Sequence, residues 1–162
     1  MRHLIAVLLL VSVGSVMQAG QIGDDGMYKE SWMRNTFKDL REDLAEANAE
    51  GKRLALIFEQ RGCIYCRKMH EDVFVQPRVS SYIEENFFVV QLNLHGDLEV
   101  TDFDGEVLSE KDIARKWRIL FTPTLMFLPE DINGQLDAAQ SAVAVMPLSL
   151  IHISEPTRHE RI

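Results

Sequence analysis

The chain holds two cysteines among 162 residues, and they lie three positions apart in Arg61-Gly62-Cys63-Ile64-Tyr65-Cys66-Arg67-Lys68. Two residues between cysteines bring both thiols within reach of each other at the start of a helix. There the unpaired backbone amides and the helix dipole favour a thiolate at the first position. Arg61, Arg67 and Lys68 add positive charge nearby. A free thiol with a pKa of about 8.5 is only a few per cent ionised at neutral pH, whereas such surroundings lower it to roughly 3.5–7.5. The attacking form becomes abundant. The chemistry this pattern supports is thiol–disulfide exchange, with Cys63 and Cys66 as the catalytic pair and no bound cofactor required.

Two other roles compete. A structural disulfide across about four residues contributes roughly 2 kcal/mol in chain-entropy terms, against roughly 4.7 for a bridge closing about 100 residues, so the pair is poorly placed as a staple. A metal carrier, for copper above all, would use Cys63, Cys66 and His70 one helical turn on, with Met69 or His95 as further ligands. Two thiolates and one histidine are a thin set for that purpose. Covalent haem attachment is excluded locally, because Arg67 stands where a histidine must follow the second cysteine.

Several elements must position this pair. Leu54-Ala55-Leu56-Ile57-Phe58 is a continuous apolar run of the kind that forms a buried strand, and it leads directly into the cysteines. Cys63 to about Asp72 reads as a helix. A second helical stretch follows Pro77, with Val79, Tyr82, Ile83 and Phe87 on one face, and Phe88 to Leu94 supplies another strand. Strand, helix, strand with short connections implies parallel neighbours and a right-handed crossover, hence an α/β sheet. Upstream, residues 31–50 read as a helix capped by Ser31 and stopped at Gly51, with Trp32, Phe37, Leu40, Leu44 and Ala47 at three-to-four spacing. Downstream, Ser109 caps a helix carrying Ile113, Ala114 and Trp117, and Thr124 to Leu128 is a strand. Glu130 to Gln135 reads as a hairpin turn into a last strand around Ala142 to Val145.

With 46% hydrophobic residues, the length suits one globular domain. A balance of 17 basic against 25 acidic residues, net −8, argues against a sequence-independent nucleic-acid binder. Two cysteines also exclude a multi-disulfide scaffold and a four-cysteine zinc site. Seven of the acids fall between Asp97 and Asp112: Asp97, Glu99, Asp102, Asp104, Glu106, Glu110 and Asp112. A calcium-loop register with Gly105 sixth puts Val100 first and Lys111 last, where carboxylates are needed, so calcium fails at both ends. Asp104-Gly105 reads instead as a hairpin turn between Val100 and Val107. At the N-terminus, Arg2 and His3 precede an apolar run from Leu4 to Val13 and small residues up to Ala19-Gly20, the pattern of an export signal cleaved after residue 19. The run is well short of the roughly 20 residues that span a bilayer. Residues 1–19 are thus expected to be removed, leaving no membrane anchor and a disulfide-permissive, periplasmic setting.

Together the segments Leu40 to Leu44, Phe58 to Cys66, Met69-His70, Val90 to Leu94, Thr101 to Gly105 and Phe121-Thr122-Pro123-Thr124 resemble the thioredoxin-like family. The likeness is to the exported thioredoxins found with bacterial sulfur-oxidation systems, and it covers roughly Asp24 to Glu130. The resemblance implies an α/β thioredoxin fold, a central mixed sheet flanked by helices, with an acidic hairpin insertion. It also implies that Cys63 is the nucleophile, that Cys66 resolves the mixed disulfide, and that Pro123 follows a cis peptide from Thr122. Thr122 and Pro123 would then offer backbone groups to a bound substrate strand. Disulfide-containing proteins are the implied substrates, a membrane dithiol relay the implied electron donor, and a monomer the implied state. Two departures stand out. Gly62 and Ile64-Tyr65 replace the Trp and Gly-Pro of Trp-Cys-Gly-Pro-Cys, so the redox potential does not carry over. Ile57 stands where typical thioredoxins bury an aspartate, while Glu59 lies close by at the strand end.

Residues 149–162, beginning Ser149-Leu150-Ile151-His152-Ile153-Ser154-Glu155-Pro156-Thr157-Arg158, resemble translated sequencing-adapter read-through. On that reading the domain occupies residues 20–148 and its final helix is missing. Val143 and Val145 are then expected on a sheet face with incomplete cover, at a cost of several kcal/mol out of a typical total of about 5–15.

Overall fold

The computed structural model describes residues 20–148, and the expected leader over 1–19 and the tail from 149 lie outside them. Through that span the chain forms β1 (Gln21–Ile22), β2 (Tyr28–Lys29), β3 (Met33–Arg34), α1 (Leu40–Ala49), β4 (Arg53–Glu59) and α2 (Ile64–Lys68). A π-helical run, Met69–Phe74, continues α2 and leads to α3 (Pro77–Asn86), β5 (Phe87–Asn93), β6 (Glu99–Thr101), β7 (Val107–Ser109) and α4 (Glu110–Lys116). The last elements are β8 (Thr124–Phe127), α5 (Ala138–Ser141) and β9 (Ala144–Pro147). Five strands make one mixed sheet in the order β3-β5-β4-β8-β9. Within it β3, β5 and β4 are parallel, while β8 is antiparallel to β4 and β9 antiparallel to β8.

Strand β4 is central because both of its faces are apolar. Leu54, Leu56 and Phe58 enter one core with Leu40, Phe88, Val90, Leu92, Ile113 and Trp117. Ala55 and Ile57 point the other way, to Trp32, Met69, Phe74 and Val89. Alternation is strict in a strand, so the continuous apolar run is what a strand covered on both sides requires. Each of these large side chains removed from water stabilises the fold by about 1.5–3 kcal/mol. The same alternation carries Glu59 at the end of β4 to the second face, under the π-helical run, and puts Gln91 of β5 there beside Val89.

Several expectations need correction. The helix expected over residues 31–50 begins at Leu40, where the Asp39 carboxylate caps the amides of Arg41 and Glu42. Ser31 caps nothing; Met33 and Arg34 pair instead along β5 as an edge strand, Trp32 turns into the second core, and Phe37 is 97% exposed. Apolar residues at helical spacing carried no information about this sheet edge. The helix expected from Cys63 to Asp72 is α2 followed by the π-helical run, with Cys63 as the cap. Phe87 opens β5 rather than sharing a helix face, and Tyr82 is exposed. Glu130 to Gln135 form no hairpin: α5 intervenes, opened by a capping box between Asp137 and Gln140, and the last strand is Ala144–Pro147. Val143 and Val145 are both exposed.

The hairpin at Asp104-Gly105 is present as β6 and β7, with Thr101 opposite Val107 and Gly105 at φ 88°. Its carboxylates turn onto one cation: Lys116 bonds Asp102, Asp104 and Glu106, which holds the Lys116 pKa above the usual lysine range despite the opposing effect of burial. Ser109 caps α4 as expected, accepting from the Asp112 amide.

Candidate active site

The turn after β4 delivers the first cysteine. Gly62 takes φ 72°, a left-handed conformation that costs little only without a Cβ, and the Cys63 amide bonds back to the Gln60 carbonyl at 3.3 Å. Cys63 itself stays extended, at φ −69° and ψ 110°, and so occupies the cap position of α2. Its sulfur accepts from the Cys66 amide at 3.0 Å, one of the donors a helix start leaves unpaired. Cys63 and Cys66 are joined as a disulfide, with 5.2 Å between their Cα atoms. Cys63 keeps 9% of its surface open and Cys66 2%, so an incoming sulfur meets Cys63 first.

The loop before β8 reaches the same sulfur. The Thr122–Pro123 peptide is cis. The Thr122 hydroxyl donates to Cys63 Sγ at 3.3 Å, and the Thr122 carbonyl oxygen lies 3.6 Å from it. A groove of about 860 Å³ runs past the disulfide between Ile64 and Tyr65 on one side and Leu120, Phe121 and Thr122 on the other. Ile64, Tyr65, Leu120 and Phe121 are all at least half exposed, an apolar rim around a reactive sulfur. The positive charge expected from the helix is partly offset, since Arg67 and Lys68 face Glu71 and Asp72 one turn on.

Beneath the pair lies a polar cluster that spacing alone did not reveal. His70 is fully buried, with Nδ1 2.7 Å from Glu30 Oε1 and Nε2 2.9 Å from Glu59 Oε1. Burial by itself lowers a histidine pKa; here the hydrogen bonds and charges of Glu30 and Glu59 outweigh it and carry the pKa up to about 9. The ring is therefore an imidazolium donating from both nitrogens, stacked on Tyr28 at 4.9 Å. Both ring nitrogens are thus engaged by carboxylates. Among the described residues no cluster of three or more His, Cys, Asp or Glu is arranged to hold an ion. Gln91 completes the arrangement, donating through Nε2 to Glu59 and to the Tyr28 carbonyl. A signal for Glu59 was available: it continues the Ala55, Ile57 face by two residues. Glu30 left none, being 40 residues from His70 in sequence.

A family model for thioredoxin-like domains matches residues 40–142. The chain belongs to that family. The central mixed sheet flanked by helices is the architecture expected of this thioredoxin-like domain, and the Cys-x-x-Cys disulfide at the start of α2 makes the protein a thiol–disulfide oxidoreductase. Similar solved structures include a thioredoxin from Thermus thermophilus, 25% identical, covering 63% of this chain and 77% of that one at a TM-score of 0.45. A thioredoxin-fold protein from Helicobacter pylori is 22% identical and covers 59% of each chain, TM-score 0.42. A poplar thioredoxin h is 21% identical over 66% of this chain and 73% of its own, TM-score 0.42. No curated protein matches the thioredoxin-like chain.

Proposed function

We propose that the protein is an exported, periplasmic reductant of protein disulfides, of the type found with bacterial sulfur-oxidation systems, acting as a monomer. The Cys63 thiolate attacks a substrate disulfide, one substrate thiolate leaves, and a mixed disulfide forms. Cys66 then attacks Cys63 Sγ, expels the second substrate thiolate and closes the Cys63–Cys66 disulfide. The substrate gains two electrons and two protons; the protein pair loses them and is recharged by a dithiol donor, a membrane relay. Thr122 touches the attacked sulfur, the loop of Thr122 and Pro123 receives the extended substrate segment, and the apolar rim of Ile64, Tyr65, Leu120 and Phe121 covers it. The observation that carries this reading is the disulfide at the cap of α2, its outer sulfur reached by a backbone amide and by the Thr122 hydroxyl. The leader pattern before Gly20 supports export, and the motifs around Cys63 and Thr122 support the reductive direction. Cys63→Ser is expected to abolish reduction of insulin disulfides by the dithiol-recharged protein, whereas wild-type turnover in that variant overturns the assignment.

A further inference from the structure

Ahead of the domain the chain makes a short hairpin in which Gln21 and Ile22 pair with Lys29 and Tyr28. Its turn is closed locally: the Gly23 amide bonds the Met27 carbonyl at 2.8 Å, and Gly26 takes φ 75°. The second strand fixes the hairpin to the domain. Tyr28 stacks on His70 and its carbonyl accepts from Gln91, to which Lys29 also donates. Ile22 lies opposite Tyr28, and opposed residues of an antiparallel pair share a face, so Ile22 turns toward the domain with it. It nevertheless stays 63% exposed. Before it lies a cavity of about 220 Å³, walled by Ile22, Met27 and Tyr28 on one side and by Cys63, Ile64 and Cys66 on the other.

This cavity adjoins the groove that runs past Thr122. Gln60, Gly62, Cys63 and Ile64 wall both. Gly62 has no side chain, and beyond its chain neighbours no atom lies within 4 Å of where a Cβ would stand, so nothing at that point divides the two. A substrate segment lying across Cys63 therefore fills the groove with one flank and meets the cavity with the other. Charge and size define that second flank. The ionised groups at the wall are already engaged, Arg67 facing Glu71 and Glu59 bonded to His70 and Gln91. A charged side chain entering here loses its water and finds no free partner, a cost that an apolar one does not meet. At about 30 Å³ for each water-sized group, the volume takes about seven heavy atoms, the size of a phenylalanine side chain. The hairpin precedes the matched domain at residues 40–142, so this wall belongs to the N-terminal segment of this chain.

We infer that Ile22 is a specificity-determining residue: with Met27 it forms a subsite for an apolar side chain, of leucine to phenylalanine size, beside the substrate cysteine that Cys63 attacks. The inference rests on the exchange reaction proposed above and narrows its substrates to disulfide proteins with such a residue flanking the attacked cysteine. Covering Ile22 and the incoming side chain together removes both apolar surfaces from water, and that burial favours these substrates.

Disulfide-linked dimers of a blocked pentapeptide test it, with cysteine at the centre, glycine elsewhere, and phenylalanine either just before or just after the cysteine. The all-glycine dimer is the reference, and kcat/KM is read with the dithiol-recharged protein. Wild type is expected to reduce a phenylalanine dimer about tenfold faster than the reference. Ile22→Ser is expected to cut that preference about threefold at one of the two positions, and to leave the other position and the all-glycine dimer unchanged. Ile22 is exposed and outside both cores, and the unchanged reference rate reports an intact fold and site. No preference for phenylalanine in wild type, a preference that survives Ile22→Ser in full, or an equal loss on all three dimers overturns the inference. If wild type reduces neither these dimers nor insulin, the exchange reading itself falls, so the two failures are distinct.

Discussion

The hydroxyl of Thr122 donates to the sulfur of Cys63 at 3.3 Å, although 59 residues of chain separate them. With the Cys66 amide at 3.0 Å, it gives that sulfur two donors aimed where negative charge resides after reduction. A hydrogen bond to a charged group contributes about 1.5–3 kcal/mol, so Thr122→Val is expected to raise the Cys63 thiol pKa by about one to two units. Thiolate absorbance against pH in the reduced protein reads this directly. An unchanged titration contradicts it.

His70 makes stability depend on pH. Its pKa is about 9 in the fold against about 6.5 in an unfolded chain, raised by Glu30 and Glu59 against the effect of burial. The folded protein therefore binds the extra proton between those values. The contribution, about 3 kcal/mol for a fully buried side chain, is complete below pH 6.5 and is lost as pH rises through 9. Urea midpoints are expected to fall across that window in wild type, and the fall attributable to this group to vanish in His70→Gln.

Asp43 works with the opposite balance. Burial in α1 raises its pKa to about 6, opposed by the Thr36 hydroxyl and assisted by Asp39, Glu46 and Glu42. The folded state holds this proton more tightly than the unfolded one, so stability declines as pH rises from about 4 to 6, and the charged form costs up to about 3 kcal/mol above that. Asp43→Asn is expected to raise the urea midpoint at pH 7 and to converge with wild type below pH 4.

Asp102 ties the β6–β7 hairpin to two other elements. Its buried carboxylate accepts from the Phe103 and Ala138 amides, the Trp117 indole and Lys116, all within 2.9 Å. Asp102→Ala leaves these donors and the Lys116 charge without their partner, and is expected to cost about 3–5 kcal/mol in chemical denaturation. Asp102→Asn, which keeps an acceptor for the amides, is expected to lose less.

Local pattern carried much of this molecule. Alternation and continuity of apolar residues marked β4, β5 and β8; Ser109 marked the start of α4; and Asp104-Gly105 marked a turn, because each depends on neighbours in sequence. The same rules misread residues 31–39, where helical spacing of Trp32 and Phe37 concealed an edge strand whose partner, Val89-Val90, is more than 50 residues away. They also missed α5, four residues long, and the π-helical turn that buries His70.

By itself the sequence determined the chemistry: two cysteines at helix-start spacing after a buried strand make a redox pair, since the thiols and the amides that activate them lie within one turn of chain. Only the tertiary structure decided what surrounds that pair. The Thr122 hydroxyl on Cys63, Glu30 on His70, and Gln91 on Glu59 are contacts across 59, 40 and 32 residues. Sheet register and the docking of the N-terminal segment bring them together, and neither leaves a periodic trace in the residues it joins.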